Sequence, residues 1–454
     1  MPEPITLDEA GSQLVTPAIA DTLARRFVGH LARLRHAPGT RIVFQAPNSA
    51  MLLAGVQGAL RGGYLPIVIS STLTHRERTE LISDVGSCVL ADAALLAAAQ
   101  ADRATDDSHD AAPLTDWFAC RPMHFTSGTS GRPKGVWSGW LSERQSRDLV
   151  AEELDAWGIT AADRHLVCGP MSHSAPLRFP LFTLAAGGSV VIPRGFDPEV
   201  ASGLIESGEV TTTFMAPTLL QRLLDAHPPR RHRLRLLAHA GSACPSAVRA
   251  HAREVFGDDV LREFYGSTEG QFTTCTPVEF DAHPGTVGRA RPGRALRVDV
   301  EGHLWCRVPE HARFEYWNDL EQTARAWDGD WFTVGDLGRI DPDGYVHLDG
   351  RRSDLIITGG VNVYPAEIER IVLELPGVHQ AVAFGAPDPQ WGQRVCLAVQ
   401  GEASEDAVRA HCADQLAPAK RPKTVRHVAE FPLTHNGKID RLDLPRLLGL
   451  DAAD

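Results

Sequence analysis

The stretch FTSGTSGRPKG, residues 125–135, decides how this chain is read. Glycines and hydroxyl side chains are interspersed there, with one proline and one lysine near the end. Such a segment lets backbone N–H groups converge on an anion without interference from Cβ atoms. It is not a Walker A loop, G-x-x-x-x-G-K-S/T. Counted from Gly128, that pattern wants a glycine where Pro133 stands and a hydroxyl where Gly135 stands. Taken alone the run is equally a solvated surface turn. The rest of the chain decides.

A chain of 454 residues is too long for one ordinary core, and two or three domains are expected. With 43% hydrophobic and 22% charged residues it belongs to the ordinary globular class. The net charge of −12 argues against a general nucleic-acid binder. The one basic cluster, PPRRHRLRLL at 228–237, reads as a loop leading into a buried strand. Eight cysteines contain no C-x-x-C pair, which fits a reducing compartment and neither a zinc ribbon nor a disulfide framework. The start, MPEPITLDEAGSQLV, has neither a basic nor an apolar run, so no secretory leader is expected. No run of about 20 apolar residues predicts membrane insertion. A cytoplasmic location follows as the expectation.

Cation usage is sharper. Of 45 cationic residues 41 are arginine, and the four lysines are Lys134, Lys420, Lys423 and Lys438. All four lie in Gly- or Pro-flanked segments: GRPKG, PAKRPK and HNGKID. Lysine is a compact point charge on a flexible stem, a property arginine cannot supply. Lys134 and Lys438 are therefore candidates for function.

Along the chain, IADTLARRFVGHLARL, RIVFQAP, MLLAGVQGALRGG, YLPIVIS and HRERTELISDVG alternate helix and strand. That alternation marks parallel βαβ units. The pattern resumes after residue 135 with helix LSERQSRDLVAEELDAWG, strand HLVCGP, helix SAPLRFPLFTLAAG and strands SVVIP, TTTFMAP, LRLLAHAGSA and VLREFYGSTEG. From about Pro284 short β segments, TVGRA, ALRVDV, HLWCRV and FEYW, predict a β-rich subdomain. The last hundred residues read as a small α+β unit, with a hairpin turned at Gly359–Gly360 and a helix entered at Pro365. The fold class is α/β: a large N-terminal domain of α/β layers with a β-rich subdomain, and a small mobile α+β C-terminal domain. The expected boundaries are 1–350 for the core, 351–354 for a hinge and 355–454 for the lid.

Four sites stand in order: GTSGRPKG, YGSTEG at 265–270, GDLGRIDPDG at 335–344 and NGKIDR at 436–441. Together they offer a phosphate loop, an aromatic beside an acid, acids in a Gly-rich segment and an isolated terminal lysine. In these motifs and their spacing the chain resembles the adenylate-forming superfamily of acyl-CoA synthetases, luciferases and nonribosomal-peptide adenylation domains, from about residue 40 to 445. The resemblance implies ATP, Mg²⁺ and CoA as cofactors and a small-molecule acid as substrate. It assigns Thr126, Ser127, Gly128, Thr129 and Lys134 to the ATP β- and γ-phosphates. It places Gly241, Ser242 and Ala243 against the adenine and the acyl group, and Tyr265 with Gly266 at the adenine. Thr268 would touch phosphate and Glu269 would bind Mg²⁺. Asp336 would hold the ribose hydroxyls, supported by Arg351. Lys438 would be the catalytic lysine at the α-phosphate, and His173 a gate at the carboxylate site. Gly359 and Gly360 would line a pantetheine tunnel, Trp391 would contact CoA, and Lys420, Arg421 and Lys423 either face CoA phosphates or form a solvated basic edge.

The chain departs from the family pattern at Val334, where a threonine is usual, at Ser353 in the hinge, and at Ala243, where a proline is common. An acid that would pair a substrate ammonium is absent from SHSAPLRFPLF, which disfavours an α-amino acid. Arg178 there either pairs a second substrate carboxylate or lines a helix surface. The expected reaction is formation of acyl-AMP with release of pyrophosphate, then transfer to CoA. The alternative is adenylation with a non-thiol acceptor: amide formation, or nitrite activation for diazotisation of an aryl amine. A monomer or homodimer is expected, with no nucleic-acid partner.

Overall fold

The computed structural model describes the chain except residues 1–4, 7–10, 74, 103–113, 127–133, 352–353, 355, 359–360, 389–390, 417, 434–438, 442 and 451–454. Its centre is a seven-stranded sheet. Five strands, Ser189–Ile192, Arg164–Val167, Thr212–Met215, Leu236–His239 and Leu261–Glu263, run parallel in that spatial order. Thr212–Met215 and Leu236–His239 are buried at every position, as central strands covered on both faces must be, whether the residue is apolar or, like Thr212 and Thr213, polar. Two short strands, Ile5–Thr6 and Gln13–Val15, extend the sheet antiparallel beside Ser189–Ile192. The sequence reading did not find these two, since their few residues carry no period.

A second parallel sheet joins Leu65–Val68, Arg41–Gln45 and Val89–Asp92. Helices cover both sheets. Pro17–Arg33 is capped by Thr16, and Ala50–Arg61 by Ser49, whose hydroxyl accepts from Leu52 N at 3.1 Å. Glu143–Trp157 opens on a capping box of Ser142 and Gln145 and closes on Gly158 at φ +59°. One continuous core unites these layers, with Phe27, Phe44, Leu53 and Leu60 wholly enclosed.

Of the expected β segments, Ala295–Val298 and Leu304–Arg307 pair antiparallel; Trp331–Phe332 and Trp327–Asp328, which the sequence reading did not name, complete that sheet, and Arg289–Ala290 of TVGRA pairs instead with Thr273–Thr274. FEYW is a correction. Its strand, Glu315–Tyr316, leaves that sheet and pairs with Lys134–Trp137 instead, making a three-stranded sheet with His124–Thr126. GDLGRIDPDG is not a loop throughout: Asp336–Ile340 is a strand paired with Val346–Arg351.

Residues from Ile356 to Leu450 build separate cores around a five-stranded sheet. The predicted hairpin is present as Ile356–Thr358 against Val361–Val363, and Pro365 starts helix Pro365–Val372. All eight cysteines are free thiols. Among the described residues no helix is long and apolar enough to cross a membrane.

Candidate active site

The parallel strands place the signature residues. Strand Arg164–Val167 has Ser189–Ile192 on one side and Thr212–Met215 on the other, so the connections diverge from it. A crevice at the carboxyl ends of such strands is where open α/β sheets bind ligands. The segments leaving those ends carry His173, then Gly241–Ser242–Ala243, then Tyr265–Gly266–Ser267–Thr268–Glu269. Residues far apart in sequence thus share one edge.

His173 is the N-cap residue of helix Ser174–Ala185, and its side chain does not cap the helix. The loop before it is held twice. Asn48 Nδ2 donates to Gly169 O at 2.9 Å, and Asn48 Oδ1 accepts from Met171 N at 2.9 Å. His124 Nδ1 lies 3.0 Å from Ser172 O. Burial pushes the His124 imidazole down to about 4, so it is neutral and donates there.

At the nucleotide signature, Gly241 sits at φ +103°, a conformation that only glycine takes without strain. Gly266 is needed for another reason: a Cβ there would lie 2.6 Å from Gly270 O. Tyr265 is buried and its hydroxyl donates to Asp336 Oδ2 at 2.5 Å. Two residues assigned to one nucleoside are therefore bonded across 71 positions. Beside the departure at Val334, the Thr333 hydroxyl accepts from Gly335 N at 3.1 Å. Asp341, in the same segment, caps a turn by accepting from Asp343 N and Tyr345 N.

Thr126 and Lys134 face each other in the ladder, so they bracket residues 127–133. Ser127, Gly128 and Thr129 lie outside the described residues, as do Gly359, Gly360, Lys438 and the hinge residue Ser353. The final glycine of the motif is a packing requirement, because a Cβ on Gly135 would meet Trp317 Cβ at 2.9 Å.

Tyr316 is the residue the sequence reading missed. Its hydroxyl donates to Glu269 Oε1 at 2.8 Å, and its ring lies 5.5 Å from Lys134 Nζ. Strand Glu315–Tyr316 thereby ties the buried Glu269 carboxylate to Lys134, at the end of GTSGRPKG. The only sequence signal was an aromatic in FEYW.

Arg178 does not line a helix surface. Its side chain is 14% exposed and pairs with Glu153 at 3.3 Å. Glu153 and Glu152 are shared with the enclosed Arg291 and Arg294, and His311 contacts Glu152 at 2.7 Å. Burial opposes ionisation of Glu152, but the His311 and Arg294 contacts outweigh it and hold the carboxyl down at about 2. Arg178 also lines a cavity of about 50 Å³ with Arg121, His124, Ser174, Leu177 and Thr268.

In the C-terminal part, Lys423 Nζ stands 4.1 Å over the Trp391 ring, and that ring is half-exposed. Lys420 is held by Glu367 at 2.7 Å, and Arg421 Nε donates to Leu416 O at 2.8 Å. The basic edge is thus already partly engaged. Arg441, in NGKIDR, donates through Nη1 to Glu369 Oε1 and to Ala383 O, each at 2.5 Å. It ties its own end of NGKIDR to helix Pro365–Val372 and to strand Val378–Asp388. Arg351 is in a strand paired with Asp336 in register.

The family model described as AMP-binding enzyme matches residues 8–309, and that described as AMP-binding enzyme C-terminal domain matches residues 367–438. The indoleacetate–CoA ligase of Aromatoleum aromaticum is 31% identical over 74% of this chain and 68% of its own. The 2-succinylbenzoate–CoA ligase of Listeria monocytogenes is 29% identical over 92% of this chain and 91% of its own. The ATP-bound structure of MatB from Rhodopseudomonas palustris superposes with a TM-score of 0.84 at 27% identity, covering 99% and 97% of the two chains.

Proposed function

The chain belongs to the AMP-binding enzyme family, and on that premise we propose that it is an AMP-forming acid–CoA ligase. A carboxylate oxygen bonds to the α-phosphorus of ATP as the bond to the β-phosphate oxygen breaks, and pyrophosphate leaves. The CoA sulfur then bonds to the acyl carbon, AMP departs with the former carboxylate oxygen, and the thiol proton passes to solvent. The observation that supports the reading is the chain of contacts Lys134–Tyr316–Glu269, which holds a cation and a carboxylate on either side of one tyrosine.

In this reading Tyr265 stacks on adenine while its hydroxyl holds Asp336 toward the ribose, with Arg351 behind. Gly241, Ser242, Ala243 and Gly266 give backbone contact to the adenylate. Thr126, Ser127, Gly128, Thr129, Lys134 and Thr268 take the phosphates. Glu269 is a buried carboxylate fixed by a neutral donor, an oxygen ligand of the hard kind that Mg²⁺ prefers, so it would hold that ion. When bound, Mg²⁺ supplies charge neutralisation at the phosphates. Lys438 stabilises charge at the α-phosphate, and His173 shapes entry to the carboxylate site. A carboxylate nucleophile is already ionised at neutral pH and needs no base.

Residues 1–350 form the adenylating core, 351–354 the hinge and 355–454 a mobile lid that serves the two steps in turn. Gly359, Gly360 and the Trp391–Lys423 pair serve CoA. AMP release from ATP tests the reading, measured with a panel of acids and nitrite, with and without CoA. Acid-dependent AMP release accelerated by CoA is expected. Release indifferent to CoA, or driven only by nitrite, favours the reading with a non-thiol acceptor.

A further inference from the structure

Resting on the ligase reading, we infer that the acid this enzyme activates is compact, of the size of acetate, propionate or nitrite, and that Phe179, Phe214 and Phe264 impose that limit. The acid must sit between His173 and the strand ends at Gly241 and Gly266. A longer tail leaving that point has the space between helix Ser174–Ala185 and the sheet face beneath it. That space is filled. Phe179 projects from the helix and stacks on Phe214 of strand Thr212–Met215, centroids 5.6 Å apart and planes 13° from parallel. Phe264, next to Tyr265, packs on Phe214 at 5.8 Å and on Phe179 at 6.4 Å. Trp157 closes the group from the neighbouring helix, 5.1 Å from Phe179 and 5.3 Å from Phe264. His165 stacks on the remaining face of Phe179 at 5.7 Å. All five side chains are buried.

The opposite face of the same helix borders the cavity of about 50 Å³ that Ser174, Arg178 and Thr268 line. An apolar cavity of about 150 Å³ is what holds one benzene molecule. The wall here is mostly apolar, with Leu60, Phe118, Leu149 and Phe182 beside the two guanidinium groups, but the cavity has only a third of that volume, too little for an aryl ring or a long alkyl chain. Neither of these two spaces, as it stands, takes a long acyl tail. The relatives above are named for acids with an aromatic ring, and the limit separates this chain from them.

Binding of the sulfamoyl-adenosine mimics of acetyl-, benzoyl- and octanoyl-adenylate, followed by calorimetry, tests this in the full-length protein. The acetyl mimic is expected to bind at least a hundredfold more tightly than either large one. Phe214→Ala and the milder Phe179→Leu, which covers failure of the first to fold, are expected to narrow the benzoyl gap to tenfold or less. Acetate-driven AMP release with none from benzoate or octanoate supports the limit equally. Benzoyl or octanoyl mimics bound as tightly as the acetyl one overturn the size limit and leave the ligase reading intact. If none of the three binds and no acid or nitrite releases AMP, the ligase reading itself fails and the size limit with it.

Discussion

Tyr316 shows what a single hydroxyl does here. Glu269 is 6% exposed, and a buried carboxylate without donors would be costly to keep charged. The phenol supplies a donor and, being neutral, leaves the carboxylate's charge for a cation. A hydrogen bond to a charged group contributes about 1.5–3 kcal/mol, which corresponds to roughly ten- to a hundredfold in rate. Tyr316→Phe should lower kcat for AMP release within that range and raise the Mg²⁺ concentration needed for half-maximal rate. An unchanged Mg²⁺ dependence would show that Glu269 does not need this partner. Glu269, Asp336 and Lys134 could all be found in the sequence because each sits inside a short motif with its own spacing. Tyr316 could not, because strand pairing brings it to Glu269 across 47 residues.

At the scale of elements, the parallel strands were legible as apolar runs between amphipathic helices. What failed was pairing. FEYW reads correctly as a strand, but its partner is set by Lys134–Trp137, and no local pattern encodes that choice. The same sheets bury three histidines whose charge the fold does not accept. Burial lowers His165 to about 3 and His124 to about 4, and lowers His239 as well. In the unfolded chain each binds a proton below about pH 6.5. The unfolded state then holds more protons than the native one, so stability falls as the pH drops below 6.5, until each native pKa is reached. Each histidine contributes a slope of about 1.4 kcal/mol per pH unit in that window. Urea midpoints should therefore fall steeply from pH 6.5 to pH 5. His165→Phe, which keeps the stack on Phe179, should make that fall shallower by about a third. An identical pH profile for wild type and variant would mean that His165 is not kept neutral by the fold.

For the whole molecule the question is how one site serves two chemical steps. The family resemblance gave the answer its form: a C-terminal unit that presents Lys438 for the first step and the Gly359–Gly360 turn for the second. The structure adds the anchor. Arg441 clamps the segment after Lys438 to helix Pro365–Val372 through Glu369 and to strand Val378–Asp388 through Ala383 O. On the proposed reading the lysine and the hairpin belong to one unit, so presenting one withdraws the other. The two steps should then be separable by mutation. Lys438→Ala removes a positioned charge and should slow acyl-AMP formation by about two to three orders of magnitude. It should spare thioester formation from acyl-AMP supplied ready-made. Gly360→Leu puts a side chain into the turn proposed to pass the pantetheine thiol, and should do the reverse. Arg441→Ala should follow Lys438→Ala in step but with a smaller loss, and Arg441→Lys should recover part of it, since the ammonium keeps donors for both acceptors but sits on a shorter stem. Single-turnover assays of each half-reaction read all four variants. If Lys438→Ala and Gly360→Leu slowed both halves equally, one fixed arrangement would be carrying out both steps, and the hinge at 351–354 would have no part in catalysis.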